Sequence, residues 1–252
     1  LTVPDPVLPA AYRLIARDTL GSTNDEARRL AREGAADGTL VWALEQTAGH
    51  GRRGRFWSSP RGNLYLSLVV RPACAPECAA QLGFVAALAV ESTLSELAPG
   101  LAGLVCKWPN DVLAGGRKIA GILLESEMGA DARLAFLVVG VGINLAAAPP
   151  DAEFPATSVA GEGHAAPTPE AALETFARRF EAWARRWRAE GFGVVRDAWL
   201  ARAVALGEAI EVRLDTATLH GKFVDIDQHG TLLLETEGGL RQVSAGDVFP
   251  AR

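Results

Sequence analysis

An α+β fold is what the 252 residues predict: a mixed sheet with helices, followed by a small all-β unit. Three observations carry this expectation. Apolar residues make up 49% and charged residues 22%, an ordinary globular balance with enough hydrophobic material for a sizeable core. Helical stripes and short apolar strands interleave along roughly the first 205 residues. From about Gly207 only short alternating strands remain. At ~150 residues per domain this length suits one large domain with a small partner. The division is placed at residues 1–205 and 206–252.

The elements follow in order. Pro4, Pro6 and Pro9 make the start an extended lead-in. A helix is expected from Asn24 to Glu33, with Ala27, Leu30 and Ala31 as its inner stripe and Gly34 as its stop. Thr23 serves as its N-cap with Glu26 three residues on, a capping box that leaves Ser22 outside and free to meet a ligand. Thr39 to Leu44 reads as a strand, Gly49 to Arg55 as a loop, and Leu64 to Val70 as a buried strand. A long apolar helix fits Ala79 to Leu97. Leu104 to Trp108 is a strand, and Val112 to Glu125 is a hairpin turning at Gly115-Gly116, a pair that tolerates positive φ. In that register Ala114 faces Arg117, Leu113 faces Lys118 and Asn110 faces Gly121. Ala135 to Leu145 is a further strand.

Residues 146–169 are rich in Ala, Pro and Gly and read as a mobile loop. An amphipathic helix then runs from Pro169 to Glu190, with Leu173, Phe176, Phe180, Trp183 and Trp187 as its core stripe. Its Arg178, Arg179, Arg185 and Arg186 form a solvated face. Ile210-Val212-Leu214, Phe223 to Ile226 and Thr231 to Leu234 are strands of a small barrel or sandwich, with a turn at Asp227-Gln228-His229-Gly230. A unit of fewer than 50 residues buries too little to stand alone, so it should pack on the main body.

Composition excludes several function classes. The longest unbroken apolar stretch, Phe84 to Val90, is seven residues, against the ~18 a membrane span needs. No basic-then-apolar leader opens the chain. Cys74, Cys78 and Cys106 form neither a CxxC pair nor a Cys/His cluster, which favours a reducing, cytoplasmic setting over a zinc site or disulfides. The formal charge of −5 argues against broad nucleic-acid affinity. Of 25 basic residues only Lys107, Lys118 and Lys222 are lysines. Where arginine serves most needs for a cation, a retained lysine marks a place that needs a compact ammonium.

Three segments carry chemistry. Gly49-His50-Gly51-Arg52-Arg53-Gly54-Arg55 places three glycines and three arginines in seven positions, ahead of Phe56-Trp57. Glycine lets backbone N–H groups approach an anion, and arginine offers planar forks for its oxygens. A solvated surface turn, or a weak nucleic-acid patch, is the plain alternative. The segment is neither a P-loop nor a dinucleotide fingerprint. Next, Lys107-Trp108-Pro109-Asn110-Asp111 ends a strand and brings Lys107 and Lys118 toward one region, beside the side-chain-free Gly121; a simple turn is the alternative. Finally, in Val139 to Asn144 the residues Gly140, Gly142 and Asn144 share one face. A face that bare marks close approach: a flat ring with Asn144 at its edge, or a seat for a packed helix.

Taken together, Ser22-Thr23-Asn24, Gln46 to Trp57, Asn63 to Ser67, Lys107 to Asp111, Lys118 to Leu123 and Gly140 to Asn144 resemble the biotin–protein ligase family, in family order and over nearly the whole chain. The resemblance implies a class II aminoacyl-tRNA-synthetase-like catalytic domain with an SH3-like C-terminal β-barrel. It implies that biotin and ATP form biotinyl-5′-AMP and pyrophosphate. Biotin is then passed to a lysine of a biotin carboxyl carrier protein, with no covalent enzyme intermediate. A lipoate or octanoate ligase or transferase of the same superfamily is the alternative. By resemblance, Ser22, Thr23, Asn24, Gln46, His50, Gly51, Arg52, Lys118 and Gly121 serve biotin. Arg52, Arg55, Trp57, Lys107, Asn110 and Asn144 serve ATP and the adenylate, and Lys118 and Arg52 act in catalysis. Mg²⁺ accompanies ATP, with Asp111 as a candidate to hold it or to orient the site. His50 departs from the family, which usually has Arg there. The catalytic motif starts near residue 22, which fits the monofunctional type without a DNA-binding domain. No DNA or membrane partner is implied, and a homodimer stays open.

Overall fold

The computed structural model describes residues 6–72, 75–129, 133–150 and 154–250. Along the chain run β1 (Arg13–Leu20), α1 (Thr23–Arg32), β2 (Thr39–Gln46), β3 (Leu64–Val70), α2 (Pro76–Ala79), α3 (Leu82–Leu97), β4 (Val105–Lys107), β5 (Asp111–Ala114), β6 (Arg117–Met128) and β7 (Leu134–Ile143). Then come α4 (Pro169–Glu190), α5 (Phe192–Leu200), β8 (Ala209–Arg213), β9 (Thr218–Ile226), β10 (Leu232–Thr236), β11 (Gly239–Val243) and β12 (Asp247–Pro250). The α+β class therefore holds. A seven-stranded mixed sheet has the order β1-β2-β3-β7-β6-β5-β4, in which β1–β2 is the parallel pair. A five-stranded antiparallel sheet has the order β11-β10-β9-β8-β12. Cys74 lies outside the described residues.

Helix α3 explains the core. Its first half, from Leu82 to Val90, is apolar on all faces, and Leu82, Val85, Leu88, Val90 and Leu94 are essentially sealed from water. Such a helix is stable only with neighbours on every side. The large sheet covers one side, while α4 and α5 cover another through Phe176, Phe180, Val195 and Trp199. Full burial contributes about 1.5–3 kcal/mol for each large apolar side chain. Phe84 meets Phe192 and Trp199 edge-on, with centroids 5.4 and 5.2 Å apart. The small sheet joins the same core through Ile210, Val212, Phe223 and Leu232. Polar ties fix the junction: Trp108 Nε1 donates to Gly230 O at 3.0 Å and Gln81 Nε2 to Gln228 O at 2.9 Å. The turn ahead of Gly230 is closed by Asp227, whose Oδ1 accepts from the N–H groups of His229 and Thr231.

Several expectations need correction. Strand β1 went unread because it is an edge strand rich in charge, with no fully buried residue to mark a face. Helix α5 was also missed, although Phe192, Val195 and Trp199 recur at helical spacing after Gly191. The N-cap of α1 is Ser22, not Thr23: Ser22 Oγ accepts from Asp25 N at 3.4 Å. The hairpin keeps Ala114 opposite Arg117 and Leu113 opposite Lys118, but a bulge between Val112 and Leu113 then shifts the register. Gly121 therefore faces Asp111, and Asn110 reaches Ile122 instead, donating from Nδ2 to Ile122 O at 2.7 Å. Bulges of this kind re-aim side chains. In the 146–169 region, residues 154–159 are a packed strap. Lys118 N donates to Pro155 O at 2.8 Å, Thr157 N donates to Lys118 O at 2.9 Å, and Thr157, Ser158 and Val159 are buried. Residues 151–153 lie outside the described residues.

Candidate active site

One cavity of about 450 Å³ opens over the β6–β7 face of the large sheet. Every residue singled out above as a site residue lines it: Ser22, Thr23, Asn24 and Gln46; His50, Gly51, Arg52, Arg55 and Trp57; Lys107, Asn110, Asp111, Lys118, Gly121 and Asn144. Elements far apart in the chain meet here because the strand order places β3, β7, β6 and β5 side by side.

One end of the cavity is polar and lined by buried side chains. Ser22, Thr23 and Asn24 are each 4–5% exposed at the start of α1. Gln46 Oε1 accepts from Thr23 N at 2.7 Å and from Thr23 Oγ1 at 3.1 Å, while Gln46 Nε2 donates to Ser59 Oγ at 2.9 Å. Ser67 Oγ, fully buried on β3, lies within bonding distance of both Thr23 Oγ1 and Asn24 Oδ1. Asn24 Nδ2 donates to Glu125 Oε2 at 2.8 Å. Burying such groups costs free energy unless their bonds are made, so the network fixes its members in place.

The bare face of β7 seats protein side chains rather than standing open. A Cβ at Gly140 would lie 2.1 Å from Asn24 Oδ1, and one at Gly142 would lie 2.7 Å from the Trp57 indole. The flat ring at this face is therefore Trp57, which also lies against Gly121. Asn144 is not at its edge as a donor: its Nδ2 donates to Thr157 O at 3.0 Å, holding the strap, while its Oδ1 is buried without a partner.

The other end is cationic. Lys118 Nζ lies 2.6 Å from Asp111 Oδ1 and 5.2 Å from the Trp57 ring centroid. Lys107 Nζ sits 5.8 Å from the Phe154 centroid and 5.3 Å from that of Phe249. Burial pushes the Lys107 ammonium below the usual lysine range and Lys118 adds to this, against the opposing pull of Asp111 and Asp247. Arg52 Nη1 donates to Asn110 Oδ1 and to Gly246 O, both at 3.3 Å. The loop around it turns tightly, with Arg53 at φ 57° and Gly54 at φ 69°.

The sequence reading missed Asp247, Glu125, Ser67, Phe154 and Phe249. Two carried a local signal: Ser67 ends the Asn63–Ser67 block quoted above, and alternation along β6 puts Glu125 on the same face as Gly121. Asp247 gathers the arginine loop: its carboxylate lies 3.9 Å from Arg52, 3.2 Å from Arg53 and 2.7 Å from Arg55. Burial alone would raise the Asp247 pKa. The Arg55 hydrogen bond and the charges of Arg55, Arg53 and Arg52 outweigh it and hold the group below the usual carboxylate range.

A lowered folded-state pKa stabilises the fold above the unfolded value of about 3.9, and that contribution disappears as pH falls through the folded value. Asp247→Asn is therefore expected to cost about 1 kcal/mol at pH 7, or ~2–4 °C in melting temperature. The difference should close in acid. Thermal melts of both proteins across pH check this; an equal gap at every pH would contradict the ion-pair account. Cys106 has no part here. Burial first, then Glu91, pushes its thiol up to about 12, which keeps it protonated and inert.

Comparison with known proteins agrees with this geometry. Residues 18–144 match the biotin/lipoate A/B protein ligase family, and residues 205–249 match the biotin protein ligase C-terminal domain. The biotin–[acetyl-CoA-carboxylase] ligase of Paracoccus denitrificans is 46% identical over 90% of this chain and 96% of its own length. The protein of the same name from Mycobacterium tuberculosis is 38% identical over 92% and 86%. The biotin protein ligase of Aquifex aeolicus, solved in complex with biotin and ATP, superposes with a TM-score of 0.78 at 28% identity, covering 94% of this chain and 97% of that one.

Proposed function

This chain belongs to the biotin/lipoate A/B protein ligase family, and from that membership we propose that it is a biotin–[acetyl-CoA-carboxylase] ligase. It activates biotin with ATP and transfers it to a lysine of a biotin carboxyl carrier protein. The observation that carries the reading is one cavity that joins a buried hydrogen-bonding end to a cationic end. Biotin's ureido ring offers one carbonyl acceptor and two N–H donors, which suits Ser22, Thr23, Asn24 and Gln46. Its carboxylate, at the far end of an apolar chain, then reaches the cations.

In the first step a biotin carboxylate oxygen attacks the α-phosphorus of ATP, and pyrophosphate leaves. Both reactants are anions, so the catalytic need is positive charge already in place. Lys118, held by Asp111, meets the carboxyl and α-phosphoryl oxygens. Arg52 spans the activated carboxyl and the phosphate, while Arg55 and Lys107 face the phosphates. His50 and Gly51 line the biotin chain, and Gly121 leaves room beside it. Asn110, Asn144 and Trp57 serve the nucleotide side. In the second step a carrier lysine amine attacks the acyl carbon of the mixed anhydride and AMP leaves. The strap at 154–159 and the loop at 49–57 shield that anhydride from water. We assign the two domains to residues 1–205 and 206–252.

Mg²⁺ enters with ATP as part of the substrate. Among the described residues no three His, Cys, Asp or Glu side chains gather as a metal site. Asp111 is engaged by Lys118, which fits an orienting role better than that of a resident metal ligand.

Pyrophosphate exchange into ATP is expected to depend on biotin and to stay at background with lipoate or octanoate. An apolar dithiolane or alkyl end would leave the buried hydroxyls and amides unpaired, a penalty that gives strong discrimination. Exchange supported by lipoate alone would overturn the assignment.

A further inference from the structure

We infer that Glu125 is a positioning residue for the ureido end of biotin, acting through Asn24. The inference rests on the reading above and adds a residue to it. Three segments meet at this carboxylate. From α1 come Asn24 Nδ2, 2.8 Å from Oε2, and Arg28 Nη1, 3.2 Å from Oε1. From the loop comes His50 Nε2, 3.8 Å from Oε2. Glu125 itself is on β6, and its side chain is 25% exposed.

The reason for an acceptor at this point follows from counting hydrogens. Asn24 has one acceptor oxygen and two amide N–H groups. The Ser67 hydroxyl carries a single hydrogen and lies within reach of two oxygens, Asn24 Oδ1 and Thr23 Oγ1. Ser67 therefore does not fix the Asn24 amide unaided. Glu125 does: by accepting one N–H it sets which way the amide faces, and the second N–H is left for the cavity that Asn24 lines. That donor suits the ureido carbonyl. Gly140 permits the arrangement, since Asn24 lies where a side chain there would be.

The distinguishing test compares variants that separate reach from charge. Glu125→Gln keeps the length and an acceptor oxygen but loses the charge. Glu125→Asp keeps the charge but withdraws the oxygens by one methylene. A positioning role predicts that Glu125→Gln binds biotin nearly as the parent does, while Glu125→Asp and Glu125→Ala lose ~10-fold, the scale of one unmade buried hydrogen bond. The loss should fall on the KM for biotin, with kcat and the KM for ATP moving far less. Calorimetric titration with biotin and steady-state exchange read these out on the intact chain, with melting curves as the folding check. A Glu125→Asp protein that outperforms Glu125→Gln, or equal losses for biotin and ATP, would overturn the inference in favour of a structural ion pair with Arg28. A parent chain that does not bind biotin would instead sink the functional reading.

Discussion

Lys118→Ala is expected to slow formation of biotinyl-adenylate by ~10² or more, the cost of removing one preorganised charge stabiliser. The ammonium is fixed from several sides. Asp111 holds it at 2.6 Å, the Trp57 ring lies 5.2 Å away, and the backbone of Lys118 is bonded on both sides to the 155–157 strap. It therefore needs no reorganisation when charge develops on the carboxyl and phosphoryl oxygens. Its loss has a second cost, because Asp111 would then face two incoming anions without its nearest cation. Arginine is a poor substitute, being planar, forked and longer than this compact niche beside Gly121 allows. Single-turnover measurement of adenylate, with circular dichroism as a folding check, decides the matter. A rate equal to that of the parent would remove Lys118 from the mechanism.

Gly140→Ala is expected to weaken biotin binding by at least ~10-fold while the protein still folds, since an overpacked methyl costs about 1–3 kcal/mol. The added Cβ would lie 2.1 Å from Asn24 Oδ1 and 2.9 Å from Asn24 Cγ. Asn24 cannot step aside cheaply, because Glu125 and Ser67 hold the two ends of its amide. The strand itself accepts alanine, as Gly140 does not adopt a positive φ. The damage should therefore concentrate on the ligand rather than on the sheet. Biotin affinity by calorimetry and melting temperature, measured on the same preparation, separate the two. Unchanged affinity would show that Asn24 is dispensable for biotin.

The site was legible where its chemistry is local. The glycine/arginine loop, the paired lysines and the bare face of β7 can be recognised from residue type and spacing, and all three line one cavity. What escaped was set by distance or by register. Asp247 is 192 residues from its partner Arg55, so no local pattern announces it. The β5–β6 bulge is a one-residue irregularity that depends on packing between strands, and it moved Asn110 from Gly121 to Ile122. The strap at 154–159 reads as loop because its order comes from bonds to Lys118 and Asn144 rather than from its own composition. Helical stripes with strong periodicity fared best: α4 spans Pro169–Glu190 with the expected inward face.

The convergence of Arg52, Arg53 and Arg55 on one carboxylate from β12 means that the loop carries its own counter-ion. On the proposed function, an incoming polyphosphate would not meet bare guanidinium groups; it would enter by exchange, displacing a tethered competitor that no dilution can wash away. Stray anions of low charge gain little from that exchange, whereas a triphosphate can satisfy several forks at once.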